Sequence, residues 1–202
     1  IDKLIIDVRN NNGGSAEISN YLFSHLCSKP YYYFDYVGKK YKSADQFKSY
    51  CTTPNHLTNP DTTKDLLQEN LYCKKKGYWW FNRQKGKKKC YSGKLTILIN
   101  GACFSTTGHF LTLLKDNNIG KLMGECSQGS YYINDGGLMV KLPYSKFLVR
   151  IPTAQFKMKT SNFAYNTKGI CPEIEVIKQK DDLTTGYDRQ LGEAINWLNE
   201  QK

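Results

Sequence analysis

The sequence predicts a layered α/β domain with a largely parallel central sheet. Two observations favour this class: apolar strand-like segments alternate with segments of helical period, and 40% of the 202 residues are hydrophobic. Alternation of this kind is typical of parallel sheets, because each crossover between strands covers the sheet with a helix. A chain of this length can bury one substantial core, so we expect a single domain over residues 1–202.

Periodicity places the individual elements. Apolar and aromatic runs predict strands at residues 3–8, 31–36, 95–99, 121–123, 138–142, 147–151 and 174–177. Apolar residues at helical spacing predict a helix at 16–27 with Ile18, Leu22 and Leu26, a second through Leu111 and Leu114, and a C-terminal one through Leu191 and Leu198.

Between about residues 38 and 94 the periodicity weakens, and we expect a long irregular insertion. Within it, residues 62–71 predict a short helix. The aromatic run 78–81, followed by a Gln-Lys-Gly turn, predicts a lysine-rich hairpin.

The segment 101–110 carries the candidate chemistry. Ser105 stands between the strand 95–99 and the following helix. A serine in the first turn of a helix lies beside free backbone N–H groups and the positive end of the helix dipole, which can stabilise an oxyanion. The alternative is that Ser105 is an N-cap, since serine is favoured there.

Three further motifs accompany this serine. Residues 7–14 read D-V-R-N-N-N-G-G, residues 124–129 read G-E-C-S-Q-G, and residues 169–176 read G-I-C-P-E-I-E-V. In this order the four segments resemble the tail-specific or C-terminal processing serine peptidases, a family with the tricorn core and the retinoid-binding repeats among its relatives. The resemblance covers residues 4–177 and implies a crotonase or ClpP-like ββα superhelix.

The resemblance also implies roles for individual residues. Ser105 matches the nucleophile that forms an acyl-enzyme. Gly13 or Gly14 matches the glycine whose N–H forms one side of the oxyanion hole, and the N–H of Thr106 would form the other. The substrate implied is a peptide or an unfolded protein.

Two positions depart from the family pattern. Ser130 stands where one branch has its lysine base, and Gly108 stands where a glutamate follows the nucleophile. Asn166 lies near a carboxylate position of the tricorn-like branch, whose base is a histidine upstream of Asp7. We therefore expect this chain to be a piece of a longer protein, inactive alone, whose upstream segment supplies the base. His109 is the alternative base, but it shares a helix with Ser105, and a packed role fits it better.

A formal net charge of +11 makes nucleic acid and acidic membranes candidate partners. Basic residues crowd into residues 74–89 around the aromatic run 78–81. This combination is found in single-strand-binding surfaces, but lysines also protect exposed strand edges. We favour the hairpin and expect no specific nucleic-acid partner. No apolar run approaches the roughly 20 residues of a transmembrane helix.

Seven cysteines show no spacing typical of a zinc site, and we expect neither a metal nor a cofactor. Cys73 and Cys90 flank the predicted hairpin and are candidates for a disulfide in an oxidising compartment. Cys27, Cys103 and Cys126 lie in apolar segments and are expected in the core.

The resemblance implies a serine endopeptidase that works by acyl transfer. Two alternatives stay open: a noncatalytic binding module on the same fold, in which Ser105 is only a cap, and a basic nucleic-acid-binding domain. The resemblance implies a bacterial periplasmic or cell-envelope setting.

Overall fold

The computed structural model describes residues 1–39, 49, 51, 65–68, 71–73, 79–135, 137–161 and 169–200. In chain order its strands and helices are β1 (Lys3–Asp7), α1 (Ala16–Ser24), β2 (Phe34–Lys39), β3 (Asp65–Gln68), β4 (Leu71–Cys73), β5 (Lys94–Ile99), α2 (Thr106–Asp116), β6 (Lys121–Gly124), β7 (Tyr132–Asp135), β8 (Leu138–Lys141), β9 (Leu148–Ile151), β10 (Ala154–Met158), β11 (Ile174–Glu175), α3 (Lys180–Thr185) and α4 (Arg189–Glu200).

The chain divides into two compact units. The parallel unit comprises Ile1–Tyr33, Arg83–Tyr131 and Thr160–Lys202, and the antiparallel unit comprises Phe34–Asn82 and Tyr132–Lys159. Within the described ranges, no helix has both the length and the apolar character needed to span a bilayer.

A four-stranded sheet of order β1-β5-β6-β11 forms the parallel unit, and all its strand pairs are parallel. This arrangement confirms the predicted α/β class with a parallel sheet. Helix α4 covers the sheet through a cluster that includes Leu98, Met123, Val176 and Ala194. Helix α2 is buried over the eight residues Thr107–Leu114, three of which, Thr107, His109 and Thr112, are polar.

Helix α1 is shorter than predicted and ends at Ser24. Leu26 is buried, but Ile18 is 70% exposed and Leu22 is 38% exposed. Helical spacing therefore identified the helix correctly, although two of the three predicted apolar residues, Ile18 and Leu22, line a cleft rather than the core.

The antiparallel unit holds a five-stranded sheet of order β3-β4-β2-β10-β7 and a separate hairpin of β8 and β9. The predicted aromatic strand begins at Phe34 rather than Tyr31, because Tyr31 forms only an isolated bridge to Gln84. The predicted strands near 138–142 and 147–151 exist, but they pair with each other instead of extending the parallel core.

Two predictions for the insertion were wrong. Residues 65–68 form a strand instead of part of a helix, because they pair in a hairpin with β4, which in turn pairs with β2. Such cross-strand pairing overrides a weak local preference. Trp79–Phe81 form a 3₁₀ turn, closed by the Asn82 N–H on the Trp79 carbonyl at 3.0 Å, instead of a strand. Tyr78 and Lys74–Lys76 of the predicted hairpin lie outside the described residues.

The cysteine predictions were mixed. Cys27 and Cys103 are buried, as expected. Cys90 is a free thiol, so the candidate Cys73–Cys90 disulfide is not formed. Cys126 is not a core thiol but is bonded to Cys171. Spacing along the chain could not identify this pair, because Cys126 follows β6 whereas Cys171, 45 residues later, precedes the neighbouring strand β11.

Candidate active site

Ser105 lies at the start of α2 in an unusual backbone conformation. Its φ is 52° and its ψ is −125°, and it is half-buried. Positive φ is uncommon for residues other than glycine and marks turns or strained functional positions. The Ser105 side chain makes no capping hydrogen bond. The cap role that its position alone suggested is therefore not observed, and its hydroxyl is not used to hold the helix.

The two adjacent glycines differ in their surroundings. Gly13 has a φ of 101°, and a Cβ placed there would lie 2.8 Å from both the Ser105 Cβ and the Thr106 nitrogen. Only a residue without a side chain permits this approach. Gly14 has a φ of 150° and open space on its Cβ side. The glycine turn thus lies directly against the turn formed by Phe104, Ser105 and Thr106.

Their backbone N–H groups also differ. The Gly13 N–H donates to the Asn11 Oδ1 at 2.9 Å. In the described part of the chain, the N–H groups of Gly14 and Thr106 have no acceptor. The Thr106 hydroxyl donates to the Gly14 carbonyl at 2.8 Å, which joins the two residues. Gly14 and Thr106 therefore offer two donors beside Ser105, whereas the donor of Gly13 is already used.

Three asparagines connect the glycine turn to the loop that leads from β5 to Ser105. The Asn11 Oδ1 also accepts from the Thr107 hydroxyl at 2.9 Å, and its carbonyl accepts from the Phe104 N–H at 3.1 Å. Asn10 and Asn100 bond reciprocally, through the Asn10 N–H on the Asn100 Oδ1 at 3.0 Å and the Asn100 Nδ2 on the Asn10 Oδ1 at 2.9 Å. Sequence reasoning missed Asn100, although a polar residue directly after a buried strand was an available signal.

Cys103 is unsuited to act as a nucleophile. It is fully buried, and its thiol donates to the Val8 carbonyl with a sulfur–oxygen distance of 3.0 Å. Burial raises the pKa of the Cys103 thiol above its usual value. A buried thiol with a raised pKa forms little thiolate, the reactive species.

Gly108 and Ser130, the two residues that depart from the family pattern, lie close together. A Cβ on Gly108 would lie 2.5 Å from the Gly129 carbonyl carbon and 2.7 Å from the Ser130 nitrogen. The backbone of residues 129–130 thus occupies the space in which a side chain at position 108 would begin. Ser130 itself is buried. A glutamate at 108 does not fit this packing, which explains why glycine stands there.

The loop that follows β6 is fixed from two sides. Cys126 is bonded to Cys171, and the Ser127 N–H donates to the Ile170 carbonyl at 3.0 Å. The Ile170 N–H in turn donates to the Ser127 hydroxyl at 2.9 Å. On the other side, the N–H of Gly129 donates to the Cys103 carbonyl at 2.9 Å. These bonds hold the last two motifs together next to the loop that carries Cys103 and Ser105.

His109 is a core residue. It is 4% exposed and contacts the Tyr33 ring edge-on, with ring centroids 6.1 Å apart. Burial lowers the pKa of His109 to about 3, because the low-dielectric interior disfavours the charged imidazolium. Its position is the packed one that the sequence favoured. Asn166 lies outside the described residues.

Arg9 organises a second polar network behind the site. Its guanidinium bonds Asp7 and Asp188, with shortest distances of 2.7 Å to each, and Gln190 at 3.1 Å. Gln190 also donates to the Glu125 Oε1 at 3.2 Å. The hydrogen bonds that the Arg9 guanidinium donates lower the pKa of Asp188 to about 2. This network joins residues of two motifs to the start of α4, a role for Asp188 and Gln190 that the sequence did not indicate.

A cleft of about 210 Å³ opens between α1 and the start of α2. Its walls include the apolar side chains of Val8, Ile18, Leu22 and Phe110, and Gly14 and Thr106 line it as well. The two available N–H groups therefore border a pocket that can take an apolar group.

Comparisons with known proteins agree with this architecture. The model of peptidase family S41 matches residues 1–176. No curated protein sequence matches the chain. The chain is similar to a candidate peptidase from Parabacteroides merdae, with 19% identity, coverage of 100% of this chain and 53% of that one, and a TM-score of 0.61. It is similar to a mutant of CPAF with 17% identity, coverage of 100% and 44% of the two chains, and a TM-score of 0.61. It is also similar to a lipoprotein from Streptococcus agalactiae with 15% identity, coverage of 100% and 55%, and a TM-score of 0.52. The chain spans about half the length of these structures.

Proposed function

This chain belongs to peptidase family S41, and from that membership we propose that it is a serine endopeptidase that cleaves peptide bonds by acyl transfer. The family match confirms the resemblance of the four motifs. We place residues 1–202 in the C-terminal part of the catalytic domain, with a ββα superhelix of the crotonase or ClpP type. The parallel sheet of β1, β5, β6 and β11 supports that fold.

The observation that carries the proposal is the conformation of Ser105. Its backbone is strained, its hydroxyl caps nothing, and two N–H groups without acceptors in the described part of the chain lie beside it. Strain of about 1–3 kcal/mol persists only where the surroundings enforce it, and it is concentrated at functional sites. A purely structural helix start has no need of this geometry.

In the proposed reaction, the Ser105 oxygen attacks the scissile carbonyl carbon while its proton passes to a general base. The carbonyl oxygen becomes an oxyanion held by the N–H groups of Gly14 and Thr106. The C–N bond then breaks, the base returns the proton to the departing amine, and an acyl-enzyme remains. Water, activated by the same base, attacks the ester and releases the acid.

We propose that the base comes from a segment upstream of β1. Ser130 cannot replace a lysine in proton transfer, and a histidine with a pKa of about 3 is too weak a base near neutral pH. His109, Ser130 and Asn166 are at most supporting residues. Residues 1–202 expressed alone should therefore hydrolyse no peptide, while the full-length protein should do so.

The cleft gives the proposed substrate its character. Since Ile18, Leu22 and Phe110 line it, we expect an apolar side chain of a peptide or unfolded protein next to the cleaved bond. The Cys126–Cys171 disulfide supports an oxidising compartment, which fits a bacterial periplasm or cell envelope.

A fluorophosphonate probe tests the proposal in the full-length protein. We expect one labelled residue, Ser105, identified by mass spectrometry, and no label in Ser105→Ala. Ser15, which also precedes a helix, is the internal control and should stay unlabelled. Binding of unfolded protein without labelling or hydrolysis would instead support a noncatalytic binding module.

A further inference from the structure

The hairpin of β8 and β9 exposes an unusual amount of apolar surface. Tyr144 is 95% exposed, Phe147 is 72% exposed and Leu148 is 58% exposed. Leu142, Val149 and Ile151 are exposed as well. All four residues of β9 are exposed, whereas a strand covered on one face buries every second residue. Exposed apolar patches rimmed by polar residues mark interaction sites.

The charge of the hairpin is entirely basic. Residues 138–151 contain Lys141, Lys146 and Arg150 and no acidic residue. The whole chain carries a formal net charge of +11. Aromatic and aliphatic side chains flanked by cations are the combination that binds anionic lipid surfaces, since the apolar groups enter the interface and the cations meet the headgroups.

The tip of the hairpin is also suited to a low-dielectric environment. The Leu142 N–H donates to the Phe147 carbonyl at 2.9 Å, and the Lys146 N–H donates to the Leu142 carbonyl at 3.2 Å. The Lys146 Nζ donates to the Pro143 carbonyl at 2.6 Å. Backbone groups that are already paired cost little to remove from water. The turn therefore presents Tyr144 and Phe147 on a preformed scaffold.

We propose that this hairpin docks the protein on an anionic phospholipid bilayer, with Tyr144, Phe147 and Leu148 entering the interface and Lys141 facing the headgroups. The charge of the hairpin favours this occupant over a second copy of the chain, because two hairpins of the same positive charge repel each other. The surface is independent of Ser105, so Ser105→Ala should bind membranes normally.

Vesicle flotation of the full-length protein tests the proposal. We expect the protein to float with vesicles of phosphatidylcholine and phosphatidylglycerol, but much less with phosphatidylcholine alone, and to be released by high salt. The double variant Phe147→Ser/Leu148→Ser should lower the partition coefficient about tenfold or more. Lys141→Gln should lower it about fivefold on anionic vesicles only.

Leu183→Ser is the matched control, because Leu183 is 77% exposed on α3 in the other unit. It should float like the wild type. Circular dichroism should show the same fold for all variants, since the altered side chains are exposed. Equal flotation of the double variant and the wild type, or no flotation at all, would overturn the proposal. So would a concentration-dependent dimer, seen by analytical ultracentrifugation, that the double variant abolishes.

Discussion

Ser15 and Ser105 each stand directly before a helix of the parallel unit, and they behave in opposite ways. Ser15 has a φ of −75° and a ψ of 129°, and its hydroxyl accepts from the N–H groups of Glu17 and Ile18 at 3.1 and 3.3 Å. Ser105 has a positive φ and caps nothing. The same residue type at the same helical position thus stabilises one helix and leaves its hydroxyl available at the other.

Backbone surroundings explain the difference. Gly13 has no side chain, so its backbone can lie directly against Ser105. The residue before Ser105 is fixed as well, because the Phe104 N–H donates to the Asn11 carbonyl. The carbonyl of Cys103 accepts from two N–H groups of the loop after β6. These contacts hold Ser105 away from the extended backbone that a capping serine adopts. Five predictions sharpen the comparison between the two serines.

Ser105→Ala should have the largest effect, and on activity alone. We expect kcat/KM of the full-length protein to fall at least about 1,000-fold, because without the nucleophile only substrate binding and the oxyanion donors can still contribute to catalysis. The free energy of unfolding should change by less than about 0.5 kcal/mol, since no capping bond is lost. Ser105→Gly should be equally inactive but about 1 kcal/mol more stable, because glycine relieves the positive φ. Peptide hydrolysis and urea unfolding measure both quantities; hydrolysis near the wild-type rate would remove Ser105 from the mechanism.

The two glycines should separate an oxyanion role from a packing role. Gly14→Ala has room for its Cβ, but alanine is strained at a φ of 150°. Relief of this strain should rotate the peptide group, so that the N–H of residue 14 no longer points at the oxyanion. We expect kcat/KM to fall about 100- to 1,000-fold, with the melting temperature within a few degrees of the wild type. Gly13→Ala should lose both activity and stability, because its Cβ would lie too close to the Phe104 carbonyl oxygen and the Thr106 nitrogen. A fully active Gly14→Ala would exclude its N–H as a donor.

Much of the parallel unit could be predicted from the sequence because its signals are local. The cores of β1, β5 and β6 are continuous apolar runs, and their observed ends lie within about a residue of the predicted ones. Strand β3 has no such run and forms by pairing with β4. The insertion was harder to predict because the sheet that holds β3 and β4 is completed by distant strands: β4 pairs with β2, and β2 pairs with β10.

The candidate site was only partly predictable. The motifs indicated Ser105 and the glycine pair as candidates, but they left open whether Gly13 or Gly14 is the proposed oxyanion donor. That choice depends on the side chain of Asn11, which takes the Gly13 N–H. The contact between Gly108 and Gly129 could not be predicted either, because it depends on how the loop after β6 runs in three dimensions.

Gly108→Ala tests how tightly helix α2 packs against the loop after β6. Alanine normally stabilises a helix interior by about 1 kcal/mol relative to glycine. Here we expect a loss of about 2 kcal/mol, because the new Cβ would meet backbone atoms of residues 129–130. Gly192→Ala in α4 is the control: its Cβ meets only the hydroxyl end of the half-exposed Tyr187 ring, which can move aside. Chemical denaturation compares the two, and equal stability of both variants would contradict this reading.

His109 should make stability depend on pH. The pKa of its imidazole is about 3 in the folded protein, against 6.5 when it is exposed. Below pH 6.5 the unfolded chain binds a proton that the folded protein does not. Stability is therefore lost as pH falls from about 6.5 towards 3, by up to about 1.4 kcal/mol per pH unit. His109→Gln should remove this contribution. Unfolding free energies at pH 4, 5 and 6 measure it, and parallel curves for wild type and variant would refute the assignment.

Ser15→Ala should have the smallest effect, and it completes the comparison. It removes a side chain that accepts from two N–H groups at the start of α1, a loss of about 1 kcal/mol and about 2–4 °C in melting temperature. Because the Ser15 hydroxyl is used by its own helix, kcat/KM should stay within about threefold of the wild type, equivalent to less than about 1 kcal/mol. Ser15→Thr keeps a capping oxygen and should recover most of the stability. If Ser15→Ala instead abolished hydrolysis with the fold intact, the two serines would have been assigned the wrong way round. The fluorophosphonate label would then move to Ser15 in the wild-type protein.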